Sequence, residues 1–252
     1  MPSVPPETVL FVIPALNEEE NLPGVIAGLR REIPGARVLV VDDGSADETA
    51  RVSREAGADV IRLPFNLGIG SAVQTGFCRA LELGFEWVVR LDADGQHRPE
   101  DVHRFLERLG DRPVDLLIGS RFCSAEGFRT SWFRRVGIRF FNGIIAFLSG
   151  FRITDATSGF TAFSRRAMAR LSRFFPDDYP EPESIIMLYK WGMTVDEVPV
   201  TMKPRKGGTS SITYLRSLYY MVKVTLAVLL DMARYSPSRR RAARGTLPGR
   251  SP

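Results

Sequence analysis

Trp87-Val88-Val89-Arg90-Leu91-Asp92-Ala93-Asp94-Gly95-Gln96-His97 joins a short apolar run to two carboxylates spaced one residue apart. An apolar run of this length reads as a buried strand, and it delivers the pair at its carboxyl end, where open α/β sheets place their ligands. There Asp92 and Asp94 could chelate a hard divalent cation, with the amide oxygen of Gln96 as a further ligand, and such a cation would hold a diphosphate. The same residues also suit an acidic turn capping the next helix, because Asp-Gly is a common turn pair. The flanking chain has to decide between the two.

Upstream, residues 8–13 (Thr-Val-Leu-Phe-Val-Ile) form a continuous β-branched and apolar run, the mark of a strand buried on both faces. Pro14 is expected to stop it, and Asn17 to cap a helix opening with Glu18-Glu19-Glu20, in which Leu22, Val25, Ile26 and Leu29 recur at helical spacing. A second strand is expected at 37–41, followed by Asp42-Asp43-Gly44-Ser45, with Ser45 and Glu48 matching a capping box. A third follows at 59–63. Asn66-Leu67-Gly68-Ile69-Gly70-Ser71 reads as a glycine-rich loop entering a helix that runs through Leu83. Residues 87–91 are the fourth strand, Pro99 suits the first turn of a helix over 99–109, and residues 115–119 are a fifth strand ending in Ser120-Arg121.

Strands alternating with helices predict an α/β fold, a mostly parallel sheet with helices on both faces. Each strand releases polar residues at its carboxyl end: Asn17 and Glu18, Asp42 and Asp43, Asn66, Asp92 and Asp94, then Arg121. A doubly wound sheet gathers such ends along one edge, so a nucleotide site is expected there.

The second half reads differently. Residues 132–149 are apolar with interspersed arginines, and the run 140–151 is too short to span a bilayer, so it fits a core helix or one lying in a membrane interface. Residues 154–160 form a polar loop between apolar elements. The acidic, proline-stiffened stretch 177–183 precedes a helical segment at 185–191, and 195–200 reads as a short strand. Residues 203–211, Lys-Pro-Arg-Lys-Gly-Gly-Thr-Ser-Ser, make a basic glycine-containing loop that could close over phosphates. Residues 215–230 carry an apolar helical face interrupted by Lys223, an amphipathic rather than a spanning pattern. The expected division is a catalytic domain over 1–211, an amphipathic C-terminal helix over 212–235, and a disordered arginine-rich tail over 236–252.

Composition narrows the class. At 252 residues the chain can bury a sizeable core without staples, and its two cysteines, Cys78 and Cys123, form no zinc-type cluster and fit a reducing compartment. Residues 1–7 carry no apolar leader stretch, so no signal peptide is expected. The net charge of +5 belongs to the tail: six arginines and no acids follow residue 233, and without them 28 basic residues face 29 acidic ones. A globular nucleic-acid face is therefore not expected, and the short basic tail suits an anionic membrane surface as well as it suits RNA or DNA.

Taken together, Ile13-Pro14-Ala15-Leu16-Asn17-Glu18, Val40-Val41-Asp42-Asp43-Gly44-Ser45, Asn66-Leu67-Gly68, Asp92-Ala93-Asp94-Gly95-Gln96-His97, Gly119-Ser120-Arg121 and Asp155-Ala156-Thr157-Ser158-Gly159-Phe160 resemble the family 2 glycosyltransferases of GT-A fold. The resemblance is strongest to the polyprenyl-phosphate, dolichol-phosphate mannosyltransferase-like branch and covers roughly residues 8–211. It implies a nucleotide-sugar donor (a UDP-, GDP- or dTDP-hexose) contacted by Pro14, Ala15, Leu16, Asn17, Glu18, Val41, Asp43, Asn66, Gly68 and Ala93. It implies Mg²⁺ or Mn²⁺ held by Asp92, Asp94 and Gln96, and catalytic positions at Asp94, Arg121 and Asp155. Arg205, Lys206 and Ser210 would act from the late flap, and His97 reads as structural. Many members carry Tyr where this chain has Leu16, and many carry two membrane helices after the catalytic domain that this chain does not show.

The chemistry so implied is inverting displacement at an anomeric carbon with a nucleoside diphosphate leaving. A lipid-linked phosphate acceptor is already an anionic nucleophile. A hydroxyl of a glycan or small molecule would need a base, with Asp155, Glu181 and Glu183 as candidates. A cytoplasmic enzyme peripheral to the inner face of the cell membrane is the expectation, with homo-oligomerisation and a membrane-protein partner left open. A non-catalytic nucleotide-binding scaffold is the alternative from another class.

Overall fold

The computed structural model describes residues 4–112, 114–123, 142–143, 146–147, 151, 153–176 and 180–203. Its centre is a seven-stranded sheet of β1 (Val9–Ala15), β2 (Arg37–Asp42), β3 (Asp59–Arg62), β4 (Trp87–Arg90), β5 (Leu116–Ser120), β6 (Thr161–Ser164) and β7 (Val195–Pro199). The strands lie in the order β3-β2-β1-β4-β6-β5-β7. The first four pair in parallel, β7 is parallel to β5, and β6 runs antiparallel between β4 and β5. Reversal at β6 keeps β5 and β7 pointing the same way as β1–β4. The carboxyl ends of six strands and the amino end of β6 therefore share one edge.

All seven residues of β1 are buried, and they alternate between the sheet's two faces. Leu10 and Val12 join Phe77, Phe163 and Met168 in one cluster; Val9, Phe11 and Ile13 join Leu22, Ile26, Leu29 and Phe105 in the other. Helices α3 (Ile69–Glu82), α5 (Arg165–Leu171) and α6 (Pro180–Lys190) cover the first face, and α1 (Leu22–Glu32) and α4 (Val102–Asp111) cover the second. Burial of side chains such as Leu10, Phe11 and Ile13 contributes roughly 1.5–3 kcal/mol each. Gly76 lets α3 approach β1 closely, since a Cβ there would stand 2.5 Å from Val12 Cγ1. A short helix, α2 (Thr49–Glu55), follows β2.

The expected α/β class and parallel order hold, with local differences. Strand β6 follows directly on the expected loop at 154–160, where no strand is expected, and its four residues carry too little pattern to announce one. Pro14 does not end β1: the strand continues to Ala15 and pairs Pro14 with Val41. Proline is tolerated because β4 pairs with β1 only as far as Val12. Neither expected helix cap forms. Helix α1 starts at Leu22, behind Asn21 rather than Asn17, and α2 starts at Thr49 behind Glu48 rather than Ser45. The helix expected at 185–191 begins earlier, at Pro180, its prolines sitting in the first turn where no N–H is needed. The amphipathic segment 212–235, the tail 236–252 and nearly all of 132–149 lie outside the described residues. Among the described residues, no helix is long and apolar enough to cross a membrane.

Candidate active site

The shared strand edge is assembled first by loops holding one another. After β1, Asn17 adopts φ 54°, a left-handed conformation that asparagine tolerates. Its N–H donates to Ser45 Oγ at 2.9 Å, and its Oδ1 accepts from the Ala46 N–H at 2.9 Å. The Glu18 N–H donates to Thr49 Oγ1 at 2.9 Å, and the Glu19 N–H to Asp47 Oδ2 at 3.2 Å. Asn17 and Ser45 thus spend their side chains on each other's loops, which is why neither caps a helix. Asp43 accepts from the Leu67 N–H at 2.8 Å and the Gly68 N–H at 2.9 Å, fixing the glycine-rich loop against the β2 end. Gly44, at φ 74°, is required there: a Cβ would stand 2.6 Å from the Phe65 carbonyl carbon. Leu16, Asn17, Glu18, Asp43, Asn66 and Gly68 consequently line one rim, while Pro14 and Val41 lie buried in the strands behind it. Asp43 is itself almost fully buried, and a carboxylate has acceptor capacity beyond these two bonds.

The acidic pair follows β4. Arg90, 2% exposed, points to the α5–α6 face and bridges two carboxylates, with Nη1 2.7 Å from Glu181 Oε1 and Nη2 3.3 Å from Asp92 Oδ1. The other Asp92 oxygen meets His97 Nε2 at 3.1 Å. Buried His97 Nδ1 has no partner, which favours the tautomer with the proton on Nε2, donating to Asp92. Burial pushes the Asp92 carboxyl up, but the His97 hydrogen bond and the Arg90 guanidinium outweigh it and hold it well below the usual carboxylate range. Asp94 Oδ1 accepts the Gln96 N–H at 3.0 Å, and Gln96 is tied to the segment after β7 through a Lys203 N–H bond of 2.8 Å to its carbonyl. The backbone of Gly159 covers Asp92, leaving no room for a Cβ, which would stand 2.3 Å from Oδ2.

This donor set is all hard oxygen, two carboxylates and an amide within five residues. Among the described residues no group of three or more His, Cys, Asp or Glu side chains stands ready for a metal. Both Asp92 oxygens already meet Arg90 and His97, so within this set Asp94 is the carboxylate not tied to a cation, and one or two carboxylates with the rest from phosphate and water is the ligand set that Mg²⁺ takes.

Beyond β5, Arg121 turns back onto Asp155, which is fully buried. Nε donates to Oδ2 at 2.6 Å, Nη2 to Oδ1 at 2.7 Å, and the Arg121 backbone N–H to Oδ2 at 3.1 Å. Thr157 Oγ1 joins them, 2.9 Å from Nη2 and 3.2 Å from Oδ1. The turn carrying Asp155 is gripped in turn by Glu197 of β7. Burial pushes the Glu197 carboxyl above its ordinary value, opposed by the hydrogen bonds from Thr154 and Asp155.

The structure thus gathers the expected residues of five loops, from Ala15 to Asp155, on one edge. Arg205, Lys206 and Ser210 lie outside the described residues. Three residues not singled out from sequence belong to the assembly: Arg90, Gly159 and Glu197. Only Arg90 gave a signal, since a charge inside an apolar strand run requires a buried partner.

A mostly parallel sheet with one reversed strand and an acidic pair at the carboxyl end of β4 is the arrangement of a GT-A fold, and comparison with known proteins identifies a nucleotide-sugar glycosyltransferase. The glycosyl transferase family 2 profile matches residues 10–172, and the chain belongs to that family. It is 34% identical over 219 residues to polyprenol monophosphomannose synthase of Mycolicibacterium smegmatis, covering 83% of this chain and 82% of that one. It is 31% identical over 215 residues to undecaprenyl-phosphate mannosyltransferase of Micrococcus luteus, covering 81% and 87%. The crystal structure of glucosyl-3-phosphoglycerate synthase from Mycobacterium tuberculosis with Mn²⁺, UDP and phosphoglyceric acid shares the fold, at TM-score 0.69 and 21% identity over 91% of this chain and 80% of that one.

Proposed function

We propose that this enzyme is a metal-dependent, inverting transferase that moves a hexose from a nucleotide-sugar to a polyprenyl phosphate at a membrane surface. One observation carries the choice of acceptor. Two of the three candidate bases, Asp155 and Glu181, are each bonded to a buried arginine. Asp155 accepts from Arg121 on both oxygens and Glu181 from Arg90 on Oε1, which suits an acceptor that arrives already ionised and needs no base. The names of the mannosyl-transferring relatives support the same acceptor class.

In this reading Asp92, Asp94 and Gln96 hold Mg²⁺ or Mn²⁺, which offsets the charge building on the leaving diphosphate. Leu16, Asn17, Glu18, Asp43, Asn66 and Gly68 form the rim for the nucleoside. Arg121 stands at the end of β5 held in place by Asp155, so a hydrogen bond from its guanidinium to a phosphate needs no reorganisation. The sequence resemblance adds Arg205, Lys206 and Ser210 to the groups that would bind the donor. A lipid-linked acceptor suits an enzyme acting at the inner face of the cell membrane.

The test offers radiolabelled UDP-, GDP- and dTDP-hexoses with polyprenyl phosphate and Mg²⁺. Transfer into the lipid fraction that disappears in Asp94→Ala is the expected result. Transfer only to a soluble hydroxyl acceptor, or lipid transfer indifferent to Asp94→Ala, rejects the proposal.

A further inference from the structure

Glu197 lies outside the acidic pair and outside the Arg121–Asp155 fork, yet both of its oxygens are directed at the turn that carries Asp155. Oε2 accepts the Thr154 N–H at 2.8 Å and the Thr154 hydroxyl at 2.9 Å, and Oε1 accepts the Asp155 N–H at 3.0 Å. Glu197 sits on β7, opposite Ile118 of β5, and β5 ends one residue before Arg121. The contacts therefore form a closed circuit: β5 carries Arg121, Arg121 forks onto Asp155, Asp155 hangs from Glu197, and Glu197 is bonded back to β5 through the sheet. Asn142 holds the same turn from its other side, donating to the Thr154 carbonyl at 2.5 Å and accepting from the Ala156 N–H at 3.1 Å.

We infer that Glu197 is a positioning residue for Arg121: by fixing the Thr154–Asp155 turn to β7 it sets where the guanidinium stands, and through it how a phosphate group is received at the end of β5. Coupling runs through hydrogen bonds to a carboxylate, whose loss leaves two backbone N–H groups and one hydroxyl to find other acceptors. Without that anchor the turn keeps the Ser120–Thr154 hydroxyl contact at 2.6 Å and the Ser158 hydroxyl bond to the Gly119 carbonyl at 2.7 Å, so Asp155 still pairs with Arg121 but is held more loosely against the strand edge. The phosphate part of the inference rests on the function proposed above; the positioning part does not.

The test uses the full chain and has two arms. In the first, the Arg121 side-chain Nε–H is followed by ¹⁵N NMR, assigned by its loss in Arg121→Lys, and its hydrogen exchange is measured. Exchange is expected to quicken several-fold in Glu197→Ala, because the Asp155 acceptor of that N–H is held less firmly and the pair opens more often, and less in Glu197→Gln, which keeps one acceptor oxygen. Asp115→Asn is the control. Asp115 clamps Thr194 at the opposite end of β5, accepting its N–H at 2.9 Å, so its loss weakens the fold without touching the circuit. Equal exchange in wild type and both Glu197 variants, or equal acceleration in Asp115→Asn, overturns the inference.

In the second arm, Glu197→Gln is expected to raise KM for polyprenyl phosphate about tenfold while leaving nucleotide binding with Mn²⁺ within about twofold of wild type. A parallel loss of nucleotide binding overturns the phosphate part. Wild-type enzyme that transfers nothing to polyprenyl phosphate refutes the proposed acceptor, and the exchange measurement then still decides the positioning claim.

Discussion

Arg121 and Asp155, 34 residues apart in sequence, meet in a two-pronged ion pair with bonds of 2.6 and 2.7 Å, and both are almost wholly out of water. Two buried charges tolerate each other's company only while both are present. Asp155→Ala leaves a guanidinium buried without its carboxylate and is expected to cost about 3–5 kcal/mol of stability. Removing both charges, in Arg121→Met with Asp155→Ala, should cost less than the sum of the single changes. Urea denaturation of the four proteins measures this, and strict additivity would contradict the pairing.

Arg90 carries the same physics on the other side of the site, since it serves Glu181 and Asp92 together. Arg90→Met is expected to destabilise by about 3–5 kcal/mol, because two carboxylates lose their common counter-ion. Adding Glu181→Gln should recover part of that loss by removing one of the stranded charges. A double variant no more stable than Arg90→Met would show that Glu181 does not depend on Arg90.

Gly159 lies against Asp92 so closely that any side chain must displace the carboxylate. Gly159→Ala is expected to cost about 1–3 kcal/mol in overpacking. It should also abolish the extra thermal stabilisation that a nucleoside diphosphate gives in the presence of Mn²⁺, since a ligand raises stability only by binding the native state. Undiminished stabilisation by UDP, GDP or dTDP with Mn²⁺ would separate Asp92 from the metal.

Asp47 provides a pH test of the donor-side loops. Burial is the largest single influence and raises its carboxyl, but the hydrogen bonds from Thr49, Glu19 and its own backbone together prevail and hold it below the ordinary aspartate value. A carboxylate depressed on folding stabilises above its unfolded pKa, and that stabilisation disappears as pH falls through the folded value. Asp47→Asn is therefore expected to cost about 1 kcal/mol at pH 7, allowing for solvent screening, and the gap to wild type should close as the pH falls from about 5 towards 3. A gap that widens in acid would reverse the sign and reject the assignment.

Much of the site was legible because strand ends announce themselves. Apolar runs at 8–13, 37–41, 87–91 and 115–119 each gave way to charged or amide side chains, and parallel strands bring such ends to one edge wherever helices return the chain. The acidic pair was legible for the same reason. Strand β6 was not, because four residues between a loop and a helix offer no period to read. Glu197 was invisible too: on an edge strand its charge looks like an ordinary solvent-facing residue until the partner turn, 42 residues earlier in the chain, is packed against it.

Sequence alone determined the α/β class, the order of the first five expected strands, the acidic pair at the end of the fourth and the family those motifs resemble. These are local properties, written in runs of a few residues whose hydration and backbone preferences are the same wherever they lie. Tertiary structure alone decided that Asp155 is bound to Arg121 and Glu181 to Arg90, that Asn17 and Ser45 lock loops instead of capping helices, and that Glu197 stands behind the turn. Each of those depends on which distant group shares a dry space with a polar side chain, and burial makes the nearest partner, not the neighbouring residue, decide what the side chain does.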